Sequence, residues 1–193
     1  MARIPYADPE SASPETRQAL ENLPPLNIFR MLAQADSAFV PFLKFGGAVL
    51  SALELDPKLR ELVILLVAKE MNAEYEWVQH VGIAKELGVE PEQIEAIERM
   101  ELDADAFAPD ARALLVFADQ VIDATRANDQ VFATLQEHFP PRQIVETLLV
   151  IGEYQMLAQV MTNLDLETDE AVGTDTLRGD EGTARRLKLL NKL

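Results

Sequence analysis

Apolar residues recur at spacings of three and four along nearly the whole chain, and the strict alternation of a half-buried strand is hard to find. The pattern predicts an all-α protein. A short helix is expected from Pro14 to Asn22, with Pro14 suited to a first helical turn. Pro24-Pro25 breaks the chain, and Leu26 to Ala33 reads as a second short helix. Ser37 is the expected N-cap of a helix running to about Leu53, with Pro41 in its first turns and Gly46-Gly47 marking close helix packing. Asp56-Pro57 is a cap followed by proline at the first helical position. Gly88 closes the segment that follows, and Pro91 opens a short helix to about Arg99. After a loop at 101–109 come helices from Pro109 to about Arg126 and from Pro141 to about Asn163, with a shorter one between them. His138, just before Phe139-Pro140-Pro141, reads as a surface loop residue. The start Pro57-Lys-Leu-Arg-Glu61 is faintly echoed by Pro141-Arg-Gln-Ile-Val-Glu146, as two buried helices with similar openings would be.

This organisation suggests an N-terminal arm over 1–25, a helical domain over 26–166 and a tail over 167–193. The tail's last residues, Ala184 to Leu193, are basic and amphipathic. That segment reads either as a frayed terminal helix or as an arm that clasps a neighbouring subunit.

Composition narrows the function. The 193 residues are 48% hydrophobic and 26% charged, as expected of a globular protein, and carry a formal net charge of −16. Such a surface disfavours nucleic acid and anionic membranes, both of which need Lys/Arg patches. There are no cysteines, which excludes disulfides, thiolate nucleophiles, zinc–thiolate sites and iron–sulfur clusters. No apolar leader follows Met1, and the run Leu62 to Ala68 is too short to span a bilayer, so a cytoplasmic protein is expected.

The candidate chemistry lies between positions 61 and 80. Glu61, Tyr75, Glu76 and His80 are titratable groups set into apolar helical segments, and His80 is one of only two histidines. On one continuous helix Glu61 and His80 would be about 28 Å apart. A reversal near Met71-Asn72, with Asn72 as N-cap of the second helix, would instead bring them to similar heights on an antiparallel hairpin. Ala73, Trp77, His80, Ala84 and Leu87 recur at helical spacing and place His80 on an inward face, with Glu76 one turn earlier. Glu61 opens an all-round apolar run and is expected to be buried. A hydrogen-bonded core histidine would satisfy the same pattern. A catalytic site would use Glu61, His80, Glu76 and Tyr75, with Trp77 and Ala73 in the substrate pocket.

The stretch Ala73-Glu74-Tyr75-Glu76-Trp77-Val78-Gln79-His80 resembles the signature of the carboxymuconolactone decarboxylase and alkylhydroperoxidase-D-like family. That signature is a glutamate, a Cys-x-x-Cys pair and a histidine four residues on. Asp56 to Leu65 looks like the entry into its signature helix, and Ile144 to Asp165, with Gly152 and Tyr154, is also similar. The resemblance implies an alkylhydroperoxidase-D-like helical bundle with its site on a helical hairpin, and a homo-oligomer, commonly a dimer, trimer or hexamer. It implies proton-relay roles for Glu61 and His80. Here the cysteine positions are Ala73 and Glu76, so thiol peroxidase chemistry is excluded whatever the label, peroxide defence included.

Three readings follow. The first is a cofactor-independent enzyme using general acid/base chemistry, such as decarboxylation, lactone opening or isomerisation of a small organic acid, with Arg60 or Arg30 meeting the substrate carboxylate. Tyr75 would donate to a developing oxyanion. The second is a metal site built from Glu61, Glu76 and His80, although no other helix offers a further histidine. The third is a non-catalytic oligomeric binding protein whose polar network fixes helix packing. The first is preferred, with no metal and no cofactor.

Overall fold

The computed structural model describes residues 1–170, which form nine α-helices and no strand. In chain order these are α1 (Pro14–Asn22), α2 (Asn27–Leu32), α3 (Asp36–Ser51), α4 (Pro57–Glu70), α5 (Glu74–Glu86), α6 (Pro91–Glu98), α7 (Pro109–Ala124), α8 (Asp129–His138) and α9 (Pro141–Asn163). The basic segment 184–193 lies outside the described residues.

The centre is α4. Every residue from Arg60 to Ala68 is buried, because α5, α6, α7 and α9 pack around it on all sides. That surround explains a helix that is apolar in every direction. Its start follows the sequence: Asp56 accepts the Lys58 and Leu59 backbone N–H groups at 2.8 and 3.3 Å, with Pro57 in the first turn. The helix echoed by α4, α9, is its direct packing partner, and both are core helices. Although α9 is long and apolar enough to cross a bilayer by length and composition, over half of that stretch is buried in the bundle.

Several boundaries differ from the sequence reading. Asn72 does not cap α5. It sits at φ 52°, just past the end of α4, where the Ala73 N–H donates to the Ala68 carbonyl at 2.8 Å. The residue thus closes the first helix in a left-handed turn, a position asparagine tolerates, and Ala73 takes the N-cap position without a side-chain bond. The hairpin forms as expected, by a different device. Similarly, α3 begins at Asp36 rather than after Ser37. The Asp36 carboxylate accepts from both the backbone N–H and the hydroxyl of Ser13, at 3.2 and 2.9 Å, and Ser13 in turn caps α1. His138 is exposed, as expected, but is the last residue of α8 rather than a loop residue.

Packed contacts cross both boundaries suggested from composition. Ala19 of α1 is buried with Phe39, Val40 and Leu43 of α3. Residues 164–170 return over α2 and the start of α5: the Asn27 side chain donates to the Glu167 carbonyl at 3.0 Å, and the Asn27 backbone N–H to Asp169 at 2.7 Å.

Candidate functional site

The α4–α5 hairpin brings Glu61 and His80 into direct contact. His80 Nδ1 lies 2.8 Å from Glu61 Oε2. The other carboxylate oxygen, Oε1, accepts from Arg60 Nε and Nη2 at 3.2 and 2.9 Å, and Arg60 Nη1 donates to the Leu50 carbonyl at 2.6 Å. The Glu61 side chain is completely buried and Arg60 nearly so. Burial pushes the Glu61 carboxyl up, but the His80 and Arg60 charges and hydrogen bonds outweigh it and hold the group below its ordinary range. An ionised carboxylate can only accept, so Nδ1 carries the hydrogen and Nε2 is the basic nitrogen of the neutral ring. The ring is further fixed by Tyr154 of α9, which meets it edge-on with centroids 5.0 Å apart.

His80 lines a cavity of about 210 Å³ between α2, α3, α5 and α9. The wall is largely apolar, built from residues such as Leu26, Phe29, Phe42, Leu50, Ile83 and Leu157. The polar exceptions near His80 are Tyr75, Glu76 and Gln79 of α5 and Glu153 and Tyr154 of α9. Glu76 is 1% exposed and neither carboxyl oxygen has a protein partner; Oε2 of Glu153 has none either. Burial, and next the charge of Glu153, pushes the Glu76 carboxyl well above its ordinary value. Burial alone takes Glu153 up to about 7. Gly46 makes room for the second acid, since a Cβ there would lie 2.6 Å from Glu153 Oε1.

Of the residues chosen from sequence, Glu61, His80 and Glu76 meet at or behind one wall of this cavity. Tyr75 also lines it, but its hydroxyl donates to Asp169 Oδ2 and accepts weakly from the Ile28 N–H at 3.5 Å. Burial and the bond to Asp169 push the phenol up. The expected oxyanion donor is thus committed to residue 169, a partner 94 residues away that no local pattern indicates. Trp77 and Ala73 are not part of the wall: Trp77 packs against the main core, and Ala73 is buried in the hairpin turn. The buried residues of α5 are Tyr75, Glu76, Gln79, Ile83 and Ala84. The expected stripe is inward, with Ala73 and Ala84 buried and Trp77, His80 and Leu87 half-buried. The buried face is wider than the stripe because Tyr75, Glu76 and Gln79 also line a cavity.

Neither arginine proposed for a substrate carboxylate is in the wall. Arg60 is held behind Glu61, and Arg30 stacks on the half-buried Tyr6 ring, 4.5 Å from its centroid. Among the described residues no three His, Asp or Glu side chains gather to hold a metal, so the arrangement of Glu61, Glu76 and His80 around an ion does not form. Sequence reasoning missed Glu153, and named Tyr154 only as part of the family resemblance, not as a site residue. The available signal was an acid and a phenol in the middle of a long, largely apolar helix, next to Val150-Ile151.

Residues 39–120 match the model of the Carboxymuconolactone decarboxylase family. No curated protein matches the chain at a significant level. Among solved structures, an uncharacterized peroxidase-related protein of Ralstonia eutropha JMP134, with an alkylhydroperoxidase AhpD core, is 20% identical with TM-score 0.74, over 88% of this chain and 93% of that one. An uncharacterized peroxidase-related protein of Silicibacter sp. TM1040 is 20% identical with TM-score 0.73, over 86% and 90%. The debrominase Bmp8 is 12% identical with TM-score 0.71, over 96% of each chain. At these identities the likeness is one of fold.

Proposed function

We propose that this chain, a cysteine-free carboxymuconolactone decarboxylase family domain over residues 39–120, is a cofactor-independent enzyme. It would transfer protons on a small organic molecule, with His80 as the general base. The observation that carries the reading is the buried Arg60–Glu61–His80 relay ending on an apolar cavity. Glu61 fixes the tautomer and balances the charge His80 gains; Nε2, the nitrogen left over, takes and returns the proton. A cavity of about 210 Å³ is below the range of drug-sized pockets, about 300–1,000 Å³, so the substrate is small.

Lactone opening and isomerisation fit this wall better than decarboxylation of an organic acid. A substrate carboxylate would enter beside the buried Glu76 and Glu153 carboxyls with no guanidinium or ammonium in the wall to meet it. The cavity also argues against a purely structural polar network, which would be closed and fully hydrogen-bonded. We further propose that copies of the chain associate through the exposed apolar residues of α9, Val145, Leu148, Leu149 and Met156.

The test is a panel of small uncharged lactones and unsaturated ketones, with carboxymuconolactone as the anionic control expected not to react, each followed by proton NMR in deuterated buffer. Ring opening or deuterium incorporation by the native protein is expected, with a fall of about 10²–10⁴-fold in His80→Ala. Turnover that survives both His80→Ala and Glu61→Gln refutes the reading.

A further inference from the structure

The relay explains His80, Glu61 and Arg60 but leaves the two most unusual groups in the molecule unused. Glu76 and Glu153 reach the cavity from different helices, both are buried, and three of their four carboxyl oxygens have no protein partner. The titratable and charged groups around them are His80 on α5, Tyr154 on α9, and Arg60 with Glu61 behind on α4; the wall residues of α3 carry no charge. Arg60 is occupied by Glu61 and by the Leu50 carbonyl. His80 Nδ1 is likewise held by Glu61, so no cation outside that relay is at hand to stabilise either carboxyl as an anion, and in an apolar wall each is most stable as the neutral acid. A neutral carboxylic acid has an O–H to donate, and it needs an acceptor.

We propose that Glu76 is a second catalytic residue of this cavity, donating its O–H to the carbonyl oxygen of a small, uncharged, apolar-bodied ligand, while Glu153 beside it excludes anions. The ligand class is an enolisable ketone, ester or lactone. This rests on the acid–base reading of His80 and gives that reading its other half. Glu76 and His80 are four residues apart on one helix, hence neighbours on its surface. A carbonyl held by the first presents its adjacent C–H to the second. Nε2 takes that proton, the C–H pair becomes the new C=C bond, and the carbonyl π pair moves onto oxygen, where the Glu76 hydrogen bond steadies it. In a β,γ-unsaturated carbonyl compound, return of the proton to the γ-carbon shifts the double bond into conjugation and completes an isomerisation with no other reactant; in a saturated one, return to the same carbon gives only hydrogen exchange.

Three isosteric probes test this by calorimetry near pH 6: acetophenone, benzoate and 1-phenylethylamine. Acetophenone is expected to bind at least about 10-fold more tightly than either ion, the scale of one good hydrogen bond against an unpaired charge. The infrared stretch of carbonyl-labelled acetophenone should move to lower frequency on binding. In Glu76→Leu that shift should vanish and binding should weaken about 10-fold, whereas Glu76→Gln, which retains a donor, should preserve most of both. Tighter binding of the amine would make the acids a cation site, and tighter binding of benzoate would remove the exclusion of anions; either overturns the proposal. So would no binding of acetophenone at millimolar concentration, or a carbonyl shift that persists in Glu76→Leu. If the probes fail while His80→Ala still abolishes turnover, this inference falls and the acid–base reading stands.

Discussion

Replacing Glu61 by glutamine should cost far more than its small change in shape suggests. The native carboxylate is fully buried and accepts three hydrogen bonds from cationic or ring donors, two from Arg60 and one from His80. Glutamine offers one acceptor and turns an N–H₂ toward one of those donors, leaving a buried guanidinium without a counter-charge. Breaking a buried pair in this way costs about 3–5 kcal/mol. For a chain of this size each kcal/mol corresponds to about 2–4 °C in Tm, so a drop of about 6–20 °C is expected. The same argument predicts strong coupling. Arg60→Met alone strips the carboxylate of its guanidinium, whereas Arg60→Met/Glu61→Gln removes both charges and leaves neither orphaned. The double variant should be at least about 2 kcal/mol more stable than the sum of the single costs predicts. Urea unfolding of the four proteins, followed by circular dichroism, measures this directly. A Glu61→Gln cost under about 1 kcal/mol, or single costs that simply add, would refute the buried relay as drawn.

The acids of the cavity make stability depend on pH in a stated direction. Glu153 and Glu76 hold protons more tightly folded than unfolded, so their contribution is fully present below about pH 4.5 and is lost as pH rises through their raised values, about 7 for Glu153. For Glu153 the loss is at most about 3 kcal/mol. Glu61 acts at the other end, since its lowered value means stability lost as pH falls below the ordinary carboxylate range. Thermal scans from pH 4 to 8 should thus find a maximum near pH 5, and Glu153→Gln should flatten the alkaline side. A residual slope from Glu70, raised to about 7 by burial and by Asp119 and Asp123, should persist. An unchanged slope in Glu153→Gln counts against the cavity acids. For α9, sedimentation velocity is expected to show an oligomer that Leu149→Lys shifts toward monomer; a native protein that stays monomeric at high concentration ends that proposal.

The start of α4 was legible from local chemistry alone, whereas those of α3 and α5 were not. Asp56-Pro57 caps α4 because a carboxylate two residues ahead of free N–H groups needs no tertiary help. The pairing of Glu61 with His80 was legible too, once a reversal was placed between them. The device at that reversal was not: asparagine serves equally as an N-cap or as a left-handed closing residue, and the choice depended on how α5 docks. The sequence placed Glu76 on the inward face with His80, but it did not say that Gln79 is buried beside them. An apolar stripe identifies the buried face only when the neighbour is itself a packed core, and here one neighbour is a cavity.

By itself, then, the sequence determined the helical class, the hairpin and the absence of thiol chemistry, because helix periodicity, capping and residue identity are local properties. Only the tertiary structure decided which acids lie together. Glu153 stands 77 residues beyond Glu76, Asp169 claims the Tyr75 hydroxyl from 94 residues away, and Gly46 clears the space for the Glu153 carboxyl. Long-range packing sets those distances, and distance to the nearest charge and to water decides whether a carboxyl is a base, an acid or a counter-ion.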